Sequence, residues 1–358
     1  GLGGTSVDVG LVDGVANAVA AIARLPAGIA SDSIGRRPLI LLGYGLSACV
    51  RPLMGCVATP VQVLFVRAFD RLGKGLRSPP RDALVADLVE PRRRGRAFGH
   101  IRSLDHAGAA VGPLVAMAFL IAFPGAERTL FGLSLLPGLA TLAVIWRFVL
   151  DPPRAAAAAT TPPLEPGLSA GQGWLLACVA VWATGAASEQ FLLLRAAELG
   201  VPGAAIPLVW LAVSLAKSVT ATRAGRLADA VSPRAMLATA WLSFATAYWL
   251  LAFTTSLSAT LPLLMAVGAA YGLAEPAERK LVAALAPTGR RGSAFGWYAL
   301  VQGIMALPAG LLAGWLWDRD GAGPPASFAV TAALALVACV MLATVPPRGA
   351  PAARGSTS

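Results

Sequence analysis

Gly75–Gly99 reads GLRSPPRDALVADLVEPRRRGRAFG and Gly272–Gly296 reads GLAEPAERKLVAALAPTGRRGSAFG, and 13 of these 25 positions are identical at a shift of 197 residues. The same register also aligns three pairs outside these stretches: Gly28 with Gly225, Asp32 with Asp229, and Arg37 with Arg234. One unbroken register over so long a stretch indicates that the chain consists of two related halves. Because the loops of both copies carry charge of the same sign, we expect the halves to cross a membrane in the same direction.

The composition is typical of a protein that has lipid as its solvent. Hydrophobic residues make up 56% of the 358 residues and charged residues 13%, whereas a soluble domain carries about 25% charged residues. The stretches 130–146, 235–253 and 328–345 contain no charged residue, and with their flanks they are long enough to cross a bilayer as helices. The net charge of +11 therefore indicates contact with anionic lipid headgroups, and we expect no nucleic-acid partner.

The apolar stretches predict an all-α polytopic membrane protein with eleven helical spans. We place these spans at 6–29, 38–57, 60–88, 97–122, 129–149, 172–195, 203–224, 235–254, 258–285, 293–316 and 326–345. The predicted organisation is a first half at 1–150, a linker rich in Ala, Pro and Thr at 151–170, a second half at 171–346, and a tail at 347–358. At the shift of 197, the partner of the span at 172–195 would lie before residue 1. We therefore expect one helix of the first half to be missing from this chain.

Basic residues are distributed unevenly between alternate loops. Fifteen arginines fall in one set of loops and in the segments on the same side, and four fall in the other set. Because basic residues accumulate on the cytoplasmic side of a membrane, this asymmetry predicts a cytoplasmic linker and a cytoplasmic C-terminus. The expected location is the inner membrane of a bacterium.

Charged residues within the spans concentrate in the first half. In the span at 60–88, Arg67, Asp70, Arg71 and Lys74 recur at helical steps and share one face. A charge at the centre of a bilayer costs about 2.5–3.5 kcal/mol, so such residues usually face a cavity or a partner. We predict that these four residues line a substrate pathway. The alternative is that neighbouring basic residues merely neutralise Asp70.

Further ionisable residues are candidates for proton coupling. Arg102, Asp105 and His106 lie at helical steps in the span at 97–122, and both imidazole and carboxyl groups exchange protons readily in such surroundings. The alternative interpretation of His106 is that it is a hydrogen-bonded packing group. Asp13 and Glu189 have no nearby basic residue in the sequence, so we also predict them as proton carriers. For Asp13 the alternative is a solvated position near the outer face.

Arg77, Arg81 and Asp82 lie near the end of the span at 60–88, and we interpret them as structural or gating groups.

No sequence pattern indicates an enzyme, a metal site or an ATP-driven pump, because there is no phosphate-binding loop, metal-ligand cluster or activated nucleophile. The four cysteines are spread through apolar segments, which is typical of packing residues. We expect no cofactor.

The loop after the first span contains GIASDSIGRR at 28–37. It resembles the signature G-x-x-x-D-x-x-G-R-[RK] of the major facilitator superfamily, and the matching residues are Gly28, Asp32, Gly35, Arg36 and Arg37. The resemblance implies two six-helix halves and a loop that latches the outward-open state. A degenerate second copy retains Gly225, Asp229 and Arg234, with Ser232 in place of a glycine.

A second, partial resemblance concerns the direction of transport. Gly108-Ala-Ala-Val-Gly112-Pro113 is similar to the antiporter motif G-x-x-x-G-P-x-x-G-G of exporters, although Ala116 and Met117 replace its final glycines. It implies proton antiport. The family also has an arginine followed four residues later by glycine, whereas here Arg67 is followed by Arg71.

Together these patterns predict a monomeric secondary transporter that works by alternating access, with its site between the halves. We expect proton-coupled export of an anionic, zwitterionic or drug-like small molecule. The alternatives are proton-coupled uptake of an anionic solute or nutrient, and a non-transporting sensor or partner protein that keeps the fold.

Overall fold

The computed structural model describes residues 6–151, 168–186, 189–287, 289–318 and 323–344 of the chain. Most of the predicted linker and all of the predicted tail lie outside these residues. The side chains of Asp13 and Glu189 also lie outside the described part, so their predicted role as proton carriers stays a prediction.

The described residues form helices and no strand. The helices of the first half are α1 (Ser6–Ile34), α2 (Arg36–Val50), which continues as a 3-10 turn at Arg51–Cys56, α3 (Pro60–Leu88), α4 (Arg94–Ala122), α5 (Glu127–Leu133) and α6 (Leu135–Phe148). Those of the second half are α7 (Ala170–Gly185), α8 (Glu189–Glu198), α9 (Ile206–Ala230), α10 (Pro233–Phe253), α11 (Leu257–Leu285), α12 (Arg291–Asp318) and α13 (Gly323–Ala343).

These helices correspond to the eleven predicted spans and confirm the all-α class. Only Ser134 separates α5 from α6, and α7 and α8 flank two residues that are not described, so each pair forms one span. The bounds of α3 coincide with the predicted span at 60–88. Its start is fixed by a capping box, in which Thr59 and Gln62 satisfy each other's backbone N–H groups.

Eight helical segments of the described chain are long and apolar enough to cross a membrane by length and composition. The helices α1, α3 and α9 are not among them, and charged residues are spread along each of these three. All three pack at the interface between the halves, where α1 contacts α12, α3 contacts α11 and α12, and α9 contacts α4. The helices with charges along their length therefore each contribute to the contact between the halves.

The two halves meet at two close contacts between glycines. The shift of 197 relates these contacts, because it aligns Gly28 with Gly225 and Gly95 with Gly292. A Cβ atom on Gly28 would lie 2.3 Å from the carbonyl oxygen of Gly292, and one on Gly225 would lie 2.7 Å from that of Gly95. Backbones therefore touch at both contacts, and any larger residue would force the helices apart. The two contacts are equivalent by the repeat, which gives the interface an approximate two-fold symmetry.

The main apolar core lies in the second half. Trp182 of α7 stacks on Trp241 of α10 with ring centroids 5.8 Å apart, and its ring also contacts Phe244 and Tyr271. The helix α7 packs against α11, α12 and α13. The expectation that one helix of the first half is missing from this chain stays a prediction.

Candidate functional site

Asp32, at the end of α1, contacts the start of α12 in the other half. Its carboxylate accepts hydrogen bonds from the backbone N–H of Gly292 at 2.9 Å and of Ser293 at 2.7 Å. Arg36 also donates to it at 2.6 Å. A carboxylate at a helix N-terminus is stabilised by free N–H groups and by the helix dipole, so this contact holds α1 against α12.

Asp229, the repeat partner of Asp32, makes the reciprocal contact. It accepts from the backbone N–H of Gly95 at 2.8 Å and of Arg96 at 2.9 Å, at the start of α4. The ammonium group of Lys280 lies 2.8 Å from the same carboxylate. Each half therefore places an aspartate on a helix N-terminus of the other half.

An ion pair strengthens the same end of the bundle. Arg291 of the second half lies 2.7 Å from Asp87 of the first half and also donates to the carbonyl of Ala86. We call the end of the helix bundle that contains Asp32, Asp87, Gly95, Asp229 and Gly292 the latched end.

The basic residues of the signature loop act within the first half. Asp151 accepts from the backbone N–H groups of Arg36 and Arg37 at 2.8 and 2.9 Å, and Gly35 has a φ of 106° that few residues other than glycine adopt. The guanidinium of Arg37 donates to the carbonyl of Trp146. This loop therefore fixes α2 to the end of α6. Arg234, predicted with the second copy of the loop, has no hydrogen bond or ion pair among the described residues.

A network of charged side chains, which includes the buried Asp82, lies next to the latched end. Asp82 is 6% exposed and accepts two hydrogen bonds from Arg102 at 2.9 Å. Arg279 of the second half reaches the same carboxylate at 3.2 Å. Arg81 and Arg102 both contact Asp105, at 3.1 and 3.0 Å. Two aspartates are thus shared by three arginines, and the shared Asp82 joins the halves.

His106 forms a second polar contact between the halves. Its Nε2 atom lies 2.8 Å from a carboxylate oxygen of Glu275 on α11. One turn earlier on α4, Ser103 and Ser218 are hydrogen-bonded across the interface. Of the residues predicted for proton coupling, Asp105 is therefore held by arginines of its own half, whereas His106 contacts an acidic residue of the other half.

Glu278 is a carboxyl group within the second half that is only 2% exposed. It accepts hydrogen bonds from the Tyr298 hydroxyl and from Trp241 Nε1, the latter at 3.3 Å, and Gln302 lies 3.4 Å away. Among the described residues it has hydrogen-bond donors and no ion pair within 4 Å. Burial of a carboxyl group is costly unless donors surround it, and these three side chains supply them.

Sequence reasoning missed Glu275, Glu278 and Arg279, although all three lie in the repeated stretch. The signal was a reversal of charge, because the shift of 197 aligns Asp82 with Arg279 and Arg81 with Glu278. Opposite charges at equivalent positions of two symmetric halves can meet at the interface, and Asp82 and Arg279 do so.

The charged face of α3 divides into paired and unpaired residues. Asp70 is bound by Arg51, at 2.8 Å, rather than by its neighbours on α3. The side chains of Arg67, Arg71 and Lys74 have no hydrogen bond or ion pair in the part of the chain that the structure describes. Of the four residues predicted to line a pathway, the three basic ones therefore keep free donors.

The glycines of the partial antiporter motif are not in close contacts. A Cβ atom on Gly108 or Gly112 would meet nothing within 4 Å among the described residues. Pro113 lies within α4, in a helix that runs on to Ala122. The described contacts thus give no packing reason for glycine at these two positions.

The contribution of the Asp32 contact can be measured. We expect Asp32→Ala to weaken the latched end by about 1–2 kcal/mol, because backbone N–H groups at the start of α12 lose a charged acceptor. Thermal unfolding of the purified protein should show a lowered midpoint. Asp318→Ala, which removes an exposed carboxylate from the other end of α12, is the matched control. An equal effect of the two substitutions would contradict the role of Asp32.

Comparison with known proteins gives matches along the whole chain. Residues 1–195 and 173–358 match the family described as Major Facilitator Superfamily. The uncharacterised protein Rv2265 of Mycobacterium tuberculosis is 30% identical over 361 residues, which cover 98% of this chain and 87% of that protein. The multidrug resistance protein MdtH of Aeromonas salmonicida is 28% identical over 338 residues, covering 87% of this chain and 81% of that protein.

A solved structure shares the fold. The human organic anion transporter MFSD10 (TETRAN) superposes with a TM-score of 0.78 at 20% identity, over 93% of this chain and 83% of that chain. At this identity the likeness concerns the fold alone. The helical architecture, the repeat and the family match all indicate a multi-pass membrane protein with the fold of the matched family.

Proposed function

Because the chain belongs to the major facilitator superfamily, we propose that it is a secondary transporter that exports a small molecule by alternating access, coupled to protons. The observation that carries this proposal is the latched end. There, two reciprocal aspartate contacts and the Arg291–Asp87 ion pair join the halves through helix ends. Such contacts can break and form again while each half keeps its own core, as alternating access requires.

The distribution of arginines supports an orientation. The loops at the latched end belong to the set with fifteen arginines, so we place this end in the cytoplasm of a bacterial cell. The described conformation is then closed to the cytoplasm. In this orientation the linker and the C-terminus are cytoplasmic.

Export is supported by two observations. The partial motif at Gly108–Pro113 is similar to that of antiporters, and one relative bears the name multidrug resistance protein. Coupling to protons is supported by the His106–Glu275 contact, because a change of charge on either partner would alter an interaction between the halves. Uptake of a solute remains the alternative, and the direction of coupled flux distinguishes the two.

The experiment is proton flux in proteoliposomes that contain the full-length protein and a trapped pH-sensitive dye. We expect a gradient of a transported solute to move protons in the wild type. Asp105→Asn and Arg71→Ala should each slow this flux by about tenfold or more, since both alter the charged face between the halves. Arg128→Gln, at an exposed position on α5, should leave it unchanged.

The outcomes separate the candidate functions. Wild-type flux that both charge variants match would assign Asp105 and Arg71 to structure. Absence of proton and solute flux from the wild type, with anionic solutes and lipophilic drugs alike, would contradict the transporter proposal and favour a sensor or partner protein.

A further inference from the structure

Three aspartates that the structure describes on α3 and α4 are already paired with arginines. Asp70 is paired with Arg51 at 2.8 Å, and Asp105 is paired with Arg81 and Arg102. Asp82 is shared between Arg102 and Arg279 at 2.9 and 3.2 Å. These carboxylates therefore pair with other arginines, and Arg71 and Lys74 of α3 have no ion pair within 4 Å among the described residues.

A third basic residue, Arg24 of α1, belongs with them, and sequence reasoning had not singled it out. Its Nη1 atom donates to the carbonyl of Ala299 on α12 at 2.9 Å. Its Nε atom is buried and has no acceptor among the described residues. A half-buried guanidinium that donates only to a carbonyl group keeps its positive charge available to an anion.

The packing of α1 on α3 brings the three cations together. A Cβ atom on Gly75 would lie 2.7 Å from the carbonyl oxygen of Ala20 and 2.9 Å from the Cβ of Ala23. Arg24 follows Ala23 on α1, and Lys74 precedes Gly75 on α3, so both residues lie next to this contact. Arg24 and Arg71 both lie within electrostatic range of Lys74, and Arg71 within range of Arg24. Arg77 and Asp105 also lie within range of Lys74, but Asp105 is paired with Arg81 and Arg102.

This cluster lies about midway along the helix bundle and touches both halves; Arg24 and Arg71 are partly buried, and Lys74 is exposed. Arg24 precedes the end of α1 at Ile34 by ten residues, a rise of about 15 Å along a helix, which is half of the roughly 30 Å hydrocarbon core. On the side of α12, Ala299 accepts from Arg24, and an added Cβ on Gly303 would lie 2.8 Å from the Arg24 guanidinium. A ligand bound here would contact helices of both halves.

Three like charges so close together repel one another, and at mid-membrane depth they are costly to hold without a counter-charge. An anion removes both costs, because it supplies the missing counter-charge and accepts the free N–H donors. We propose that Arg24, Arg71 and Lys74 bind the charged group of an organic anion, such as a carboxylate, sulfonate or phosphate ester. This assignment rests on the proposed function, since it names the class of solute that the transporter carries.

Direct binding tests the anion site separately from transport. The probes are dansyl sulfonate and dansylamide, which share a fluorescent ring system and differ in that only the sulfonate carries a negative charge. Binding to the full-length protein in detergent is followed by fluorescence. We expect the sulfonate to bind about tenfold or more tightly than the amide, and Arg71→Gln or Lys74→Gln to reduce that preference about tenfold each.

Two controls keep the test independent of folding. Arg128→Gln makes the same chemical change at an exposed position on α5 and should keep the preference for sulfonate. Lys74→Arg retains the charge and should keep it as well. Equal binding of the two probes to the wild type, or an unchanged preference in Arg71→Gln and Lys74→Gln, would overturn the anion site.

The proposed function can fail or hold on its own. Proton-coupled flux of a neutral or cationic solute, without a preference for sulfonate in the binding assay, would overturn the anion site and leave the transporter proposal in place. Charge-dependent sulfonate binding without any flux would support the site and contradict transport.

Discussion

Asp82→Asn is expected to destabilise the protein by about 3–5 kcal/mol and to abolish transport. The carboxylate is 6% exposed and is the shared partner of Arg102 and of Arg279, which comes from the other half. An amide cannot neutralise either guanidinium, so the substitution leaves Arg279 without its ion pair in a poorly solvated interface and Arg102 with Asp105 alone. Thermal unfolding of the purified variant and flux in proteoliposomes measure the two effects.

Asp70→Asn is the stability control for this prediction. It makes the same chemical change on the same helix, but the Arg51 side chain that it frees is 52% exposed. Water can solvate that cation, so we expect a loss of about 1 kcal/mol or less. Similar losses for both variants would contradict the structural importance of the Asp82 network. The double variant Asp82→Asn with Arg279→Gln should lose less stability than the sum of its single substitutions, because it removes the cation left without its ion pair.

Gly28→Ala is expected to prevent closure of the latched end and to reduce transport by more than about tenfold. The added methyl group would lie 2.3 Å from the carbonyl oxygen of Gly292 and 2.9 Å from the Cα of Gly296. Both neighbours are backbone atoms that cannot rotate away, so α1 and α12 must separate. That separation also pulls Asp32 away from the start of α12.

Gly310→Ala is the control for Gly28→Ala, and we expect it to stabilise the protein rather than destabilise it. Gly310 lies in α12 with nothing within 4 Å of an added Cβ. Alanine at an open helical position usually stabilises by about 0.5–1 kcal/mol, whereas Gly28→Ala should destabilise. Thermal unfolding of the two variants distinguishes helix propensity from close packing. Equal stabilisation by both substitutions would show that α1 and α12 do not touch at Gly28.

The sequence was sufficient to predict the spans and the two-fold plan, because both depend on local hydropathy and on a repeat within the chain. The coincidence of α3 with the predicted span at 60–88 follows from the capping residues Thr59 and Gln62. The repeat also aligned Gly28 with Gly225 and Asp32 with Asp229, positions that the structure places in equivalent contacts.

The partners of the intramembrane charges could not be predicted in the same way. Helical periodicity shows that charges share a face, and it does not show which face of another helix lies opposite. Asp70 is therefore bound by Arg51 at the end of α2 rather than by Arg67 or Arg71. His106 likewise contacts Glu275, which is 169 residues away in the chain. Such contacts depend on how the halves dock.

The most direct test of alternating access is the distance across each end of the bundle, measured between pairs of spin labels. In a variant without native cysteines, one pair replaces Arg92 and Arg226 at the latched end, and another replaces Ala58 and Thr255 at the opposite end; all four positions are exposed. We expect acidification or dansyl sulfonate to produce a longer distance at the latched end together with a shorter one at the opposite end. If each label pair gives one distance, and acidification and dansyl sulfonate change neither distance, alternating access is contradicted.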